Sequence, residues 1–239
     1  MNMFSPFYRY TNKAVVVLLS LLLVVESNAQ DKKELRDSLE IASKELSLQP
    51  SNIDLRLRKA SWNMQLEQWE YAKTEYDYVL SREPNNLTAL FFRAFANEKL
   101  NRYRFSRLDY ENLLAIAPAH FEARLGLALL NQKDKHYTEA FDQMNLLIQQ
   151  HPDSAIAYAV LAGIEQEREL YEPAIYDYGE AIKRDPNNTD YLLNRADLYL
   201  KLRRFIEAEN DLKRLESLGI PRQSLQALYK RMKKTKNKH

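Results

Sequence analysis

Residues 155–188 read AIAYAVLAGIEQERELYEPAIYDYGEAIKRDPNN and close on Pro186-Asn187-Asn188. Pro186 is the last of five prolines, Pro50, Pro84, Pro118, Pro152 and Pro186, each 34 residues after the one before. A fixed period of that length marks one supersecondary unit repeated in tandem. Aligned on the prolines, the chain divides into 53–86, 87–120, 121–154, 155–188 and 189–222. The resulting columns are chemically uniform. One is Ala60, Ala94, Ala128, Ala162 and Ala196, and twelve residues on comes Ala72, Ser106, Ala140, Ala174 and Ala208. Three residues before that second column every position is aromatic: Trp69, Tyr103, Tyr137, Tyr171 and Phe205.

Helix packing explains these columns. Antiparallel helices approach to about 8 Å only where the side chains at their crossing are small, and alanine at both columns permits it. The aromatic column opens a second helix, where each ring can wedge between helices and bury on the order of 150–250 Å². Two further columns, Tyr76, Tyr110, Met144, Tyr178, Leu212 and Val79, Leu113, Leu147, Ala181, Leu215, continue that face in steps of three and four, the period of an amphipathic helix. Pro-Asn-Asn at 84–86 and 186–188 and Pro-Asp-Ser at 152–154 end one helix and offer an N-cap to the next. Pro173 sits at the opening of a second helix, where its missing N–H is tolerated.

The period and these columns resemble the tetratricopeptide-repeat family. The resemblance covers 53–222 and departs from the family pattern in two places. A position usually tyrosine in the first helix is Asn63, Asn97, Asn131 and Glu165 before Tyr199 restores it, and Ile220-Pro221 stands where Pro-Asn is expected. The fold it implies is an all-α, right-handed α-solenoid of five helix-turn-helix repeats. Residues 30–52 read as an N-terminal capping helix, carrying Leu35, Leu39, Ala42 and Leu46 at helical spacing, and 223–239 as a C-terminal capping helix and tail with Leu225, Leu228 and Met232 inward. Terminal repeats need such caps because each otherwise exposes a face built for a neighbour.

Composition agrees. Only four glycines occur in 239 residues, too few for the turns and bulges of a sheet protein, and no Pro/Gly/Ser-rich linker divides the repeats, so one continuous body is expected. There is no cysteine, which removes disulfides, thiolate metal sites and thiol nucleophiles. The four histidines, His120, His136, His151 and His239, show no metal-ligand spacing, and no glycine-rich phosphate loop occurs. Neither an enzyme nor a bound cofactor is expected. At the front, Arg9 and Lys13 precede an apolar run from Ala14 to Val25, followed by Ser27 and Ala29 as the small residues of a cleavage site. Twelve helical residues reach about 18 Å, short of the roughly 30 Å apolar core of a bilayer. Residues 1–29 thus read as a signal peptide cleaved after Ala29, giving a periplasmic or secreted chain; an uncleaved membrane anchor is the alternative.

The resemblance implies that the first helices line a concave groove receiving a peptide or helix of a partner protein. On this alignment Leu57, Phe91, Phe95, Leu125 and Leu129 would form an apolar docking strip, rimmed by Lys99, Lys133 and Lys201. The lysine-and-asparagine carboxylate clamp of some family members is missing, since Leu57, Ser61 and Phe92 stand at its positions. An architectural subunit that stacks on copies of itself or builds a larger envelope complex is the second reading. Nucleic acid is disfavoured: the formal charge is +2, and basic residues concentrate in the tail, at Arg222, Lys230, Arg231, Lys233, Lys234, Lys236 and Lys238, leaving an acidic body. That tail could meet an anionic envelope surface.

Overall fold

The computed structural model describes the backbone of residues 29–236 and the side chains of 32–233. The signal-peptide reading of 1–28 lies outside the described residues, and Ala29 is the first residue of the first helix. All regular elements in the described range are helical. They are α1 (Ala29–Leu48), α2 (Ile53–Gln65), α3 (Trp69–Arg82), α4 (Leu87–Lys99), α5 (Tyr103–Ile116), α6 (Phe121–Lys133), α7 (Tyr137–Gln150), α8 (Ala155–Glu167), α9 (Tyr171–Arg184), α10 (Thr189–Lys201), α11 (Phe205–Ser217) and α12 (Gln226–Lys236). No helix among the described residues is long and apolar enough to cross a membrane. The described residues fall into two compact units, 29–136 and 137–236. In the first, α1 to α6 pack each on the next; in the second, α7 to α11 do so and α12 rests on α10.

Each first helix begins and ends by the same device. The side chains of Asn52, Asn86, His120 and Ser154 accept a hydrogen bond from the backbone N–H three residues on, and Asn188 from the one two residues on, satisfying an amide that the first turn leaves without a partner. At the other end the chain turns through a left-handed residue: Glu67, Asn101, Lys135, Glu169 and Arg203 all have φ between 57° and 62°. Around each, the next N–H reaches back five residues, as from Gln68 to the Asn63 carbonyl at 2.8 Å and from Arg204 to Tyr199 at 2.8 Å. This pair of return bonds closes the last carbonyls of a helix. Glycine is the usual residue for it, yet here the five positions are filled by other side chains. The fifth second helix ends through Gly219 at φ 92°, with Ile220 N–H bonding to Leu215, which is why Ile220-Pro221 replaces the usual proline turn there.

The crossing columns are as small and as buried as their chemistry requires. Ala60, Ala94, Ala128, Ala162 and Ala196, and Ala72, Ser106, Ala140, Ala174 and Ala208, are wholly inaccessible. Tyr76, Tyr110 and Tyr178 fill the space beside them, and burial raises each phenol above its ordinary value. Gly126 on α6 belongs to the same packing: a Cβ there would sit 2.8 Å from the Tyr110 ring. The aromatic column is only half-buried, less than the wedge position implied.

Both caps form. Ala42 and Leu46 of α1 pack with Leu55. On α12 the buried residues are Leu225, just before it, then Tyr229 and Met232, while Leu228 is only partly buried; Tyr229 thus takes the inward place expected for Leu228, one residue round the helix. Arg231 reaches Asp197 of α10 at 2.5 Å, so this basic residue is spent on the fold. Side chains beyond Lys233, and with them Lys234, Lys236 and Lys238 of the basic tail, lie outside the described residues.

A non-glycine residue in the left-handed region costs about 1–2 kcal/mol, partly offset by the entropy glycine loses on folding. Glu169→Gly or Arg203→Gly should therefore raise stability by about 0.5–1 kcal/mol, read in thermal or urea unfolding, whereas Glu169→Ile should lower it.

Candidate functional site

The expected docking strip is largely interior. Phe95, Leu125 and Leu129 are 5%, 1% and 9% exposed, because α4 is packed against α3, α5 and α6, and α6 against α5 and α4. The Phe95 ring stands edge-on to Trp69 at 5.9 Å. Leu57 and Phe91 are half-buried, and Phe91 touches the rings of Phe92, Tyr110 and His120 at 5.2, 5.9 and 5.9 Å. Three of the five strip residues therefore belong to the core, and no continuous apolar surface is left by the set. An apolar residue one helical step from the crossing is inward or outward according to how many neighbours flank its helix, and each first helix here has neighbours on several sides.

The lysine rim has a structural use as well. Lys99 lies over the rings of Phe95 and Trp69, 4.9 and 5.9 Å from their centroids. Lys133 lies 5.2 Å over Tyr103 and donates to Glu98 at 3.1 Å. In the 137–236 unit Lys201 lies 5.0 Å over Tyr171. Each lysine closes a first helix and covers the aromatic that opened the preceding repeat's second helix, 30 residues earlier. In the fourth repeat Glu167 holds the same register and accepts a hydrogen bond from the Tyr137 hydroxyl at 2.8 Å. One column thus ties repeat to repeat by a cation over a ring, worth about 0.5–1 kcal/mol at exposed sites, or by a hydrogen bond that the tyrosine hydroxyl donates to a carboxylate. The recurrent 30-residue spacing between aromatic and lysine is the sequence signal for this contact.

Exposed apolar side chains lie elsewhere. Among the described residues of the repeat helices, the large ones sit on second helices: Tyr71 on α3 at 69%, Phe105 and Leu108 on α5 at 59% and 52%, Ile116 and Leu146 less exposed on α5 and α7, and Tyr176 and Ile206 at 66% and 74% on α9 and α11. Tyr71 and Phe105 occupy the same register in successive repeats, two residues beyond the aromatic column, and Leu108 lies one turn on from Phe105. In the sequence they stand outside the apolar stripe, which is the mark of a side chain not needed for packing.

The tetratricopeptide-repeat family model matches residues 178–210. Among solved structures, MamA from Desulfovibrio magneticus RS-1 is similar with a TM-score of 0.63 and 19% identity, over 70% of this chain and 95% of its own. A tetratricopeptide repeat protein from Parabacteroides merdae gives 0.60 and 20% identity, over 95% of this chain and 96% of its own. This is a tetratricopeptide-repeat fold. YrrB, described as a tetratricopeptide-repeat protein with an unusual peptide-binding site, has the same fold at 14% identity and a TM-score of 0.58, over 76% of this chain and 93% of its own. No curated protein matches the sequence significantly.

Within this tetratricopeptide-repeat fold one polar column is buried between the two helices of a repeat. Glu75, Asp109, Asp177 and Asp211, each 34 or 68 residues apart, are 7%, 2%, 7% and 4% exposed. In the first repeat Lys59 and Arg56 meet Glu75 at 2.8 and 2.6 Å. In the second, Arg93 takes Asp109 through both nitrogens of its fork at 2.6 and 2.9 Å and also reaches Asp77 at 2.9 Å. In the fifth, Arg195 takes Asp211 at 2.7 and 2.9 Å. The third repeat drops both partners, with Leu127 and Gln143 at the matching positions. The Asn column that departs from the family pattern serves the same layer: Asn97 donates to Asp109 at 3.3 Å, and Asn131 accepts from Arg107 at 2.9 Å.

Because Phe95 is core, Phe95→Ser should lower unfolding stability by about 3–5 kcal/mol, while Leu57→Ser, half-buried, should cost less than half of that. Equal and negligible losses in urea unfolding would return Phe95 to a surface role.

Proposed function

We propose that this chain is a non-catalytic scaffold that binds a segment of another protein, with Tyr71, Phe105 and Leu108 of the 29–136 unit as its anchors. The observation that carries the reading is their exposure, above half for each, on a fold whose packing registers are already filled. Large aromatic side chains left in water on a rigid surface are typical interface anchors. The peptide-binding site ascribed to YrrB is in keeping with a protein segment as the occupant. The first-helix strip plays a smaller part in this reading, through Leu57 and Phe91.

A photocrosslinking residue at Phe105 should capture a discrete polypeptide in the cell, one at Leu57 or Phe91 much less, and Tyr71→Ser with Leu108→Ser should abolish capture without moving the melting midpoint. Adducts of twice the chain's own mass would turn the reading to a self-assembling architectural subunit. Absence of adducts at both faces would sink it.

We also propose export by cleavage after Ala29, on the strength of the order basic, apolar, small in residues 9–29. N-terminal sequencing of the native protein should begin at Gln30; a chain beginning near Met1 and fractionating with membranes would mean an anchor instead.

A further inference from the structure

The fourth repeat breaks the charge rule of its sisters. At the position of Lys59, Arg93 and Arg195 it carries Leu161, yet it keeps the acid, Asp177. Where the first three repeats have Asn63, Asn97 and Asn131 it adds a second acid, Glu165. Both carboxyls are buried, at 9% and 7% exposure, and on α8 and α9 they hold the registers at which Asn97 donates to Asp109 in the second repeat. Glu165 Oε2 is shut off from solvent without a hydrogen-bond partner. Arginine reaches this layer by a second route in the chain, from Arg107 on a preceding second helix to Asn131; the residue in that register before Glu165 is Phe141 on α7. The remaining source, Arg56 on Glu75 in the first repeat, has Tyr158 in its register here, so none of the three places supplies a cation.

The charged groups around the pair do not repair this. On α9, Glu180 adds a further negative charge that acts on Asp177, and is itself tied to Lys183 and Arg184. Tyr178 on the same helix is buried and neutral. On α10, Arg195 approaches Gly179 but is bound to Asp211, and Asp190, Tyr191 and Asp197 act on Tyr178 with negative or neutral character. On α7, the matching position of the acid column is the neutral Gln143. Two carboxylates cannot both ionise at such a site without a large penalty.

We propose that the fourth repeat is a pH-responsive element of the fold, in which Glu165 and Asp177 share one proton that seals α8 to α9, and release of that proton to solvent loosens this hairpin. Burial, then the Asp177 charge and the hydrogen bond between the two, push the Glu165 carboxyl up to about 8 from an ordinary 4.5. Burial raises Asp177 as well. With the folded value above the unfolded one, the stabilisation is complete below about pH 4.5 and drains away as pH rises towards 8. In the first, second and fifth repeats the acid of this column holds lysine or arginine instead.

Hydrogen exchange of the full chain, corrected for the intrinsic pH dependence of the amides, tests this. Between pH 6 and 9 the α8 and α9 peptides of the wild type should lose protection by roughly tenfold or more, while α10 and α11 peptides hold theirs. Glu165→Gln and Leu161→Arg should each abolish the loss, the first by removing one acid and the second by restoring the missing cation. Carbon-13 titration of the Glu165 carboxyl in the wild type decides the matter even where a variant fails to fold. A Glu165 carboxyl titrating in the ordinary range, or protection of α8 and α9 that is flat with pH, overturns the proposal. So does a loss shared equally by α10 and α11.

Discussion

The approach of two helices over a pair of alanines is the constraint on which the rest depends. Where Ala60 meets the Ala72 register, and again in the second, fourth and fifth repeats, no side chain stands between the backbones. Close approach leaves no room beside it for anything but a flat ring or a straight chain, hence Tyr76, Tyr110, Met144, Tyr178 and Leu212 in one column. It also forces the connection between the helices to be short, and a short connection needs one residue in the left-handed region. That residue recurs at Glu67, Asn101, Lys135, Glu169 and Arg203, so strain of order 1 kcal/mol is accepted five times in exchange for the packing.

A second layer of contacts is built over the first and shows more variety. The link between successive repeats is a lysine over a ring at Lys99, Lys133 and Lys201, but a hydroxyl on a carboxylate at Tyr137 and Glu167. The layer between the helices of one repeat is an ion pair in the first, second and fifth, is free of the column's charge in the third, and is a pair of acids in the fourth. A buried charge without its partner is expensive, so these are not neutral variations on one theme. They give the layer a different charge from one repeat to the next.

The departures from the family pattern have physical meanings that the pattern alone conceals. Asn97 and Asn131 in place of tyrosine put an amide where a buried carboxylate or guanidinium needs a partner. Ile220-Pro221 follows from α11 closing on Gly219 rather than on a proline turn. The docking strip lies largely in the core for a related reason. Leu57, Phe91, Phe95, Leu125 and Leu129 share a helical face, but helical phase says only which residues point together. The left-handed turn residues gave no composition signal either, since only Asn101 among the five is a residue commonly found there.

Periodicity determined by itself the number of repeats, the helices and their ends, the crossing residues and the two caps, because these follow from local spacing and side-chain size, which a sequence states directly. Burial of Phe95, Leu125 and Leu129, the lysines spent on rings, the exposure of Tyr71 and Phe105, and the meeting of Glu165 with Asp177 were decided only by the tertiary structure. Each depends on which neighbours flank a helix and which partner lies across from a side chain. Residues from two or three helices settle that together, and no single helix's sequence contains it.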